Sequence, residues 1–232
     1  MTADPQFEAK REAALKAANM VKPGMVVGLG TGSTAALVVQ EIARRVEAGA
    51  LKDIIGVPTS RATHQQALLL GIPMGTLEEH RTVDLTIDGA DEVDPDGNLI
   101  KGMGGALLRE KIVATASRRL VIVVDASKQV QQLGTKSALP VDVTQFGWTT
   151  HQELMRDLGG EPALRIGSDG DPVVTDDGHW IMDVRFPTGI ASPAHVERLL
   201  KGHPGVVETG LFLDMHPHVV IGGQAGGTKG RK

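Results

Sequence analysis

Three short segments of this 232-residue chain combine residue types that can do chemistry together. The first is Gly28-Leu29-Gly30-Thr31-Gly32-Ser33-Thr34, at an expected strand-to-helix junction. Glycines let the backbone turn tightly and bring N–H groups towards an anion, while Ser and Thr hydroxyls and the helix N-terminus add donors. Two better-known phosphate cradles do not fit. Ser33 stands where a dinucleotide fingerprint has its third glycine, and no Gly-Lys-Ser/Thr follows for a nucleoside triphosphate. The acidic residue that would hold a dinucleotide ribose is also missing, because Asp53 begins its strand and Pro58-Thr59-Ser60 ends it. A small sugar or organic phosphate fits better than NAD or ATP. The plain alternative is a tight turn that binds nothing.

The second segment is Asp88-Gly89-Ala90-Asp91-Glu92, directly after an expected strand Leu85-Thr86-Ile87. Two acids three residues apart can address sugar hydroxyls, orient a lysine, raise each other's proton affinity, or hold Mg²⁺ with a phosphate. The alternative is a turn in which Asp caps the backbone, as expected for the solvated Asp94-Pro95-Asp96-Gly97-Asn98. The third segment is Lys101-Gly102-Met103-Gly104-Gly105-Ala106-Leu107-Leu108-Arg109-Glu110-Lys111. A lysine opening a glycine loop, with a glutamate in the following helix, supplies a cation, backbone N–H groups and a general base. Those are parts for enolate chemistry: the base takes a proton from carbon beside a carbonyl, and the donors stabilise the oxyanion. Against this, Glu110 between Arg109 and Lys111 reads equally as an ordinary solvated helix residue.

These segments need elements to hold them. Helical spacing of Phe7, Ala13-Ala14, Ala17-Ala18 and Val21 predicts a first helix, stopped by Pro23-Gly24. A strand at Met25–Gly28 follows, then a helix from Thr34 to about Ala48 that Ser33 can cap. Strand 53–57, helix 62–70, strand 85–87, helix 106–117 and strand 120–124 continue the alternation, which predicts an α/β, Rossmann-like and mostly parallel sheet. Ligands of such sheets bind beyond the carboxyl ends of the strands. After Gly134 the expected order is strand 139–143, helix 149–158, strand 163–166, strand 180–186, helix 193–200, strand 205–212, with Val173-Val174 a possible extra strand. That is the βαββαβ order of a smaller ferredoxin-like α+β domain. Val219-Val220-Ile221 can return to the first sheet, and the tail 222–232 reads as frayed. The expected division is 1–135 plus 216–232 for the Rossmann-like catalytic domain and 136–215 for the small one.

Composition narrows the partners. Lys+Arg 24 against Asp+Glu 28 gives a net charge of −4, and 2 Trp, 4 Phe and no Tyr leave few platforms for stacking bases, so nucleic acid is not expected. The absence of Cys removes disulfides, thiolate metal sites and cysteine nucleophiles, and fits a reducing compartment. Met1–Lys22 lacks the apolar stretch of a secretory signal and no segment reads as a membrane span, so a cytoplasmic protein is expected. His216-Pro217-His218 offers two imidazoles but no assigned third ligand, so no metal is expected.

Taken together, the segments resemble ribose-5-phosphate isomerase, type A. The resemblance rests on Gly-Thr-Gly-Ser-Thr at 30–34, Asp-Gly-Ala-Asp-Glu at 88–92, Lys101-Gly with Gly-Gly-Ala-Leu and Arg109-Glu110-Lys111-Ile112, and Asp125-Ala126-Ser127-Lys128. Order and spacing agree across 7–135, and Pro204-Gly205-Val206-Val207 with Gly210-Leu211-Phe212 extends the match. The resemblance implies interconversion of ribose 5-phosphate and ribulose 5-phosphate in the pentose phosphate pathway without metal or organic cofactor, in a homodimer or homotetramer. It further implies Glu110 as the base, with Asp88, Asp91 and Lys101 at the sugar and the enediolate. Thr31, Gly32, Ser33 and Thr34 match the phosphate loop; Gly89, Ala90, Gly102, Met103 and Gly104 complete the substrate contacts, with Lys128 and Lys10 as cationic partners. Met103 interrupts the family's usual glycine run, so its side chain either crowds the sugar or turns into the core. Two rival readings stand beside it: a sugar-phosphate-sensing module without chemistry, and a CoA-transferase-like enzyme with a glutamate nucleophile.

Overall fold

A computed structural model describes residues 5–223. In chain order the elements begin α1 (Pro5–Ala18), β1 (Val26–Leu29), α2 (Ser33–Glu47), β2 (Ile55–Pro58), α3 (Arg61–Leu69) and β3 (Leu85–Asp88). Then come β4 (Glu92–Val93), β5 (Leu99–Ile100), α4 (Leu107–Thr115), β6 (Leu120–Asp125), β7 (Leu139–Val143), α5 (His151–Asp157) and β8 (Glu161–Leu164). The chain ends with β9 (Trp180–Arg185), α6 (Pro193–Lys201), β10 (Val206–Thr209), β11 (Leu211–Phe212) and β12 (His218–Gly222).

Two compact units result. The first comprises the described residues within Met1–Ala90, Arg109–Lys128 and Met215–Lys232; the second comprises Asp91–Leu108 and Gln129–Asp214. This division differs from the sequence boundaries at 91–108 and 129–135, which go with the second unit, and at Met215, which goes with the first.

The first unit holds a parallel sheet in the order β12-β6-β3-β1-β2. The chain moves outward from β1 to β2, then crosses to the other side of β1 for β3, which makes the β1–β3 boundary the switch point where such sheets open a crevice. β6 is buried along its whole length, as its unalternating apolar run predicts, and each fully buried Val or Ile there contributes about 1.5–3 kcal/mol of apolar transfer. Alanines 13, 14, 17 and 18 form the buried face of α1, which packs on α2, β6 and β12. Phe7, expected on that face, is instead half-exposed, and α1 stops at Ala18, before Val21. Small alanines permit an approach so close that a Cβ at Gly222 would meet the Ala9 backbone.

The second unit carries the expected βαββαβ order as an antiparallel sheet, β10-β7-β9-β8. Trp148 and Trp180 pack edge to face at 6.1 Å beside its core. The residues 173–174 form no strand; Val174 makes only an isolated bridge to Trp180. The strand expected across 205–212 breaks at Gly210 into β10 and β11. Gly210 N–H donates to Pro140 O (2.7 Å) and its carbonyl accepts from Lys101 N–H (2.9 Å), so the chain changes sheets there. β11 joins β5 and β4 in a small antiparallel sheet that the sequence reading missed. The Asp94–Asn98 segment is the turn of the β4–β5 hairpin, with Asp94 Oδ1 accepting from Asp96 N–H and Asn98 N–H.

Candidate active site

In the first unit, Gly30 and Thr31 leave the carboxyl end of β1 against Asp88 at the end of β3. Thr31 N–H and Gly89 N–H both donate to Asp88 Oδ1, at 3.0 and 2.7 Å. Gly30 is required by this approach, since a Cβ there would lie 2.2 Å from that same oxygen and 2.5 Å from Asp88 Cα. The Thr31 hydroxyl turns into the protein: it donates to Ser60 Oγ (2.9 Å) and lies 2.8 Å from Thr59 Oγ1 and 3.2 Å from Thr63 Oγ1. Thr59 and Thr63 in turn donate to the carbonyls of Leu29 and Gly30. This buried hydroxyl cluster fixes the loop from below, and nothing in the spacing of 59–63 relative to 31 announced it.

The cap of α2 is Gly32 rather than the expected Ser33, and it makes no side-chain capping bond. The first intrahelical bond is Ala36 N–H to Gly32 O, so the N–H groups of Ser33, Thr34 and Ala35 lie ahead of the ladder, with no acidic side chain in that turn. Gly32 and Ser33 are exposed and Thr34 is half-buried. A helix start of this kind attracts an anion through its donors and its dipole.

Glu110 sits in the first turn of α4 and is 4% exposed, which removes the reading of an ordinary solvated residue. Its level along the sheet follows from neighbours on the same helix. Ser117 Oγ lies 2.6 Å from Thr86 Oγ1 and Arg118 N–H donates to Val83 O, so the end of α4 meets the amino end of β3 and the helix runs antiparallel to the strand. Val113 packs with Val57 and Val83, and a Cβ at Gly28 would touch it. Glu110 shares that face of the helix, one turn earlier, about 4.5 Å further along. Gly30 lies about 6.6 Å beyond Gly28 along β1. The first turn of α4, which carries Glu110, therefore lies towards the carboxyl edge formed by Gly30 and Asp88.

At the carboxyl end of β6, a single 3₁₀ turn carries Ala126–Lys128. Asp125 holds it: Oδ1 accepts from Ser127 N–H (2.9 Å) and from the Ser127 hydroxyl, and Oδ2 accepts from Gln6 Nε2 (3.5 Å). Burial works to raise the Asp125 carboxyl, but the Ser127 bonds, then Gln6 and the Lys10 charge, together keep it below the usual carboxylate range. Lys10 and Lys128 are both half-buried, and the Lys10 charge acts on this carboxylate.

In the second unit, Asp91 and Lys101 flank the β4–β5 hairpin at its open end. Asp91 N–H donates to Ile100 O (2.8 Å), next to Lys101. Lys101 is buried, with Nζ 5.5 Å from the Phe212 ring centre. Asp91 Oδ2 accepts from Met103 N–H at 3.0 Å. Within the loop, Gly102 (φ 110°) and Gly105 (φ 79°) occupy left-handed backbone regions that disfavour a side chain, whereas Met103 does not. This explains why a methionine is accommodated between glycines. Its side chain does not turn into the core; the residue is 49% exposed.

Two residues outside the sequence candidates stand out here. Glu92, fully buried on β4, accepts from Gly134 N–H (2.6 Å), Lys136 N–H (2.6 Å) and Ser137 N–H (2.5 Å), tying the hairpin to the segment before β7. Arg165 donates to the carbonyls of Gly102 and Met103. The acidic string 88–92 could have suggested Glu92, but nothing local links Arg165 to a loop 62 residues earlier. A cavity of about 470 Å³, lined by Arg118, Arg119, His216 and His218 among others, opens at the amino ends of β6 and β12, away from Asp88. Among the described residues no group of three or more His, Cys, Asp or Glu is assembled to hold a metal ion, and no helix is long and apolar enough to cross a membrane.

Comparison with known proteins then gives one consistent answer. Residues 55–226 match the family model described as ribose 5-phosphate isomerase A (phosphoriboisomerase A). The chain is 50% identical over 220 residues to ribose-5-phosphate isomerase A of Synechococcus sp. (strain JA-3-3Ab), covering 94% of this chain and 95% of that protein. Among solved structures it is similar to a D-ribose-5-phosphate isomerase in complex with phospho-erythronic acid, with TM-score 0.90, 38% identity, and 93% and 94% of the two chains covered. It is also similar to ribose 5-phosphate isomerase A of Methanocaldococcus jannaschii, with TM-score 0.88, 39% identity, and 94% and 95% covered.

Proposed function

We propose, because this chain belongs to the ribose 5-phosphate isomerase A family, that it interconverts D-ribose 5-phosphate and D-ribulose 5-phosphate through an enediolate, with Glu110 as the general base. The observation that carries the role of Glu110 is its burial in the first turn of α4, a turn that the helix spacing sets towards the carboxyl edge of the sheet.

The sugar phosphate docks its anion on the start of α2, where the N–H groups of 33–35 and the Ser33 and Thr34 hydroxyls are the donors, and Lys128 and Lys10 add positive charge. Holding the phosphate remotely fixes where C1 and C2 of the open chain lie. Glu110 removes the proton from C2 as the C2–O2 unit becomes a carbonyl through the enediolate. The same carboxyl returns a proton to C1, and one proton passes from O2 to O1, so the reaction balances without a redox partner. Asp88 supports ring opening or the transfer between oxygens. Gly89 and Ala90 contact substrate through their backbone, and Asp91, Lys101 and the 102–104 loop carry the sugar contact and enediolate stabilisation implied by the resemblance. The cytoplasm and a homodimer or homotetramer complete the proposal; cell fractionation and light scattering test those two points.

The deciding experiment supplies ribose 5-phosphate and follows ketose formation by the wild-type chain and by Glu110→Gln. A general base accounts for roughly 10²–10⁴-fold in rate. The expected result is wild-type turnover, with kcat lost on that scale in the variant and KM within about threefold. Absence of turnover in the wild type removes the isomerase reading; near-normal kcat in the variant removes Glu110 from it.

A further inference from the structure

We infer that Arg165 is the positioning residue of the Gly102–Gly105 loop, setting the peptide planes that turn the Met103 N–H to Asp91 and the Gly104 N–H towards the substrate; the inference rests on the isomerase reading above.

The geometry lies wholly within the second unit. Arg165 follows β8, and its guanidinium is fixed by Asp183 of β9 in a two-point fork, Nε to Oδ2 at 2.8 Å and Nη2 to Oδ1 at 2.5 Å. That leaves Nη1 aimed at the loop, where it donates to Gly102 O and Met103 O, each at 3.0 Å. Nη2 also lies 3.9 Å from Met103 Sδ. Four donors in a rigid plane are thus engaged at once, a pattern that the ammonium of a lysine cannot reproduce.

Peptide planarity carries the consequence. In a trans peptide the carbonyl and the following N–H point in opposite directions. Two successive carbonyls converging on Nη1 therefore turn the N–H groups of Met103 and Gly104 to the far side of the loop. The first of them is found there, donating to Asp91 Oδ2 at 3.0 Å. The second, from Gly104, is directed away from Arg165 as a donor for an oxyanion. Positive charge at the carbonyl end polarises both peptides and strengthens these donors. Gly102, at φ 110°, and Gly105, at φ 79°, provide the backbone freedom that lets both carbonyls face one cation. Arg165 touches no reacting atom in this scheme; it acts through the loop and through the orientation of Asp91.

The test compares wild type, Arg165→Ala, Arg165→Lys and Asp183→Asn by two independent readouts: ribose 5-phosphate kinetics, and hydrogen exchange of the 101–106 amides. Misplacing a catalytic donor by about 1 Å costs up to roughly 10²-fold. Arg165→Ala is expected to lower kcat about 10–100-fold with KM changed less than about threefold, and to speed exchange in 101–106. Arg165→Lys is expected to recover little of either. Asp183→Asn, which loosens the fork while keeping the arginine, should fall between wild type and Arg165→Ala. Millimolar guanidinium should partly restore kcat in Arg165→Ala and leave the wild type unchanged, a rescue that repair of general folding would not give. Unchanged loop exchange, a kcat within about twofold of wild type, or full recovery by lysine each overturns the inference. Turnover by the wild type decides the isomerase reading separately, and the exchange measurement needs no turnover.

Discussion

Replacing Glu92 by Gln tests how the β4–β5 hairpin, with Asp91 and Lys101 at its open end, is held in the second unit. In the wild type the buried carboxylate of Glu92 accepts from Lys136 and Ser137 N–H on one oxygen and from Gly134 N–H on the other, all at 2.5–2.6 Å; the Gly134 bond is buried and the other two are partly buried. A glutamine retains one acceptor oxygen, enough for the pair at 136–137, but turns an NH₂ towards the Gly134 N–H. One buried donor then lacks an acceptor, which costs about 1–3 kcal/mol. The two surviving bonds lose their charge assistance, roughly half their strength. Together the expected loss is about 2–4 kcal/mol, and Glu92→Ala, which removes the acceptor of all three bonds and leaves the buried Gly134 N–H unpaired, should lose about 3–5 kcal/mol. Urea unfolding followed by tryptophan fluorescence suits the question, because Trp148 and Trp180 are the only tryptophans and both lie in the second unit. Glu92→Met separates packing from hydrogen bonding: it fills the volume but accepts nothing, so it should be nearly as unstable as the alanine variant. A Gln variant within about 0.5 kcal/mol of wild type, or a Met variant that restores stability, would refute the argument, since surface-like tolerance has no place at a triply bonded carboxylate.

Other expectations follow from the same geometry. Gly30→Ala should destabilise the first unit by about 1–3 kcal/mol and depress turnover, because its Cβ must displace Asp88; far-UV circular dichroism during urea unfolding reads the first effect, and an unchanged midpoint would contradict it. Lys128→Ala should raise KM for ribose 5-phosphate about 10–100-fold with little change in kcat, the scale of one charge-assisted bond to an anion; an unchanged KM removes Lys128 from the phosphate site. Asp142 on β7 is pushed up to about 6 by burial, with Asp177 and Glu208 adding to the rise and His179 opposing it. A carboxyl raised in the folded state favours folding below its unfolded value of 3.8 and loses that advantage as pH rises through about 6. The second unit should therefore lose stability between pH 4 and 6, by at most about 3 kcal/mol, and Asp142→Asn should flatten that slope in pH-dependent unfolding.

The fold was largely legible because its main elements are local or periodic. The unalternating Leu120–Val124 run announces a strand covered on both faces, and the βαββαβ order of the second unit follows from the spacing of its apolar stretches. The readings that missed were those settled by neighbours far along the chain. β4 and β5 are two residues each, too short for a period, and are seen as strands only in their pairing with each other and with Leu211–Phe212. Ser33 has the chemistry of a cap, yet the tight departure of the chain from β1 puts Gly32 in that position.

The same division holds for the candidate site. By itself the sequence determined which side chains and which glycine-bearing turns are present, because a carboxylate, a lysine or a residue free to take positive φ is a property of residue type. Tertiary structure decided what each one faces. It buried Glu110 between half-buried Arg109 and Lys111, turned the Thr31 hydroxyl inward to Thr59, Ser60 and Thr63, and brought Arg165 to two carbonyls 62 and 63 residues away. Burial and hydrogen-bond direction depend on atoms contributed by distant segments, and only the closed packing of those segments puts them within hydrogen-bond distance of one another.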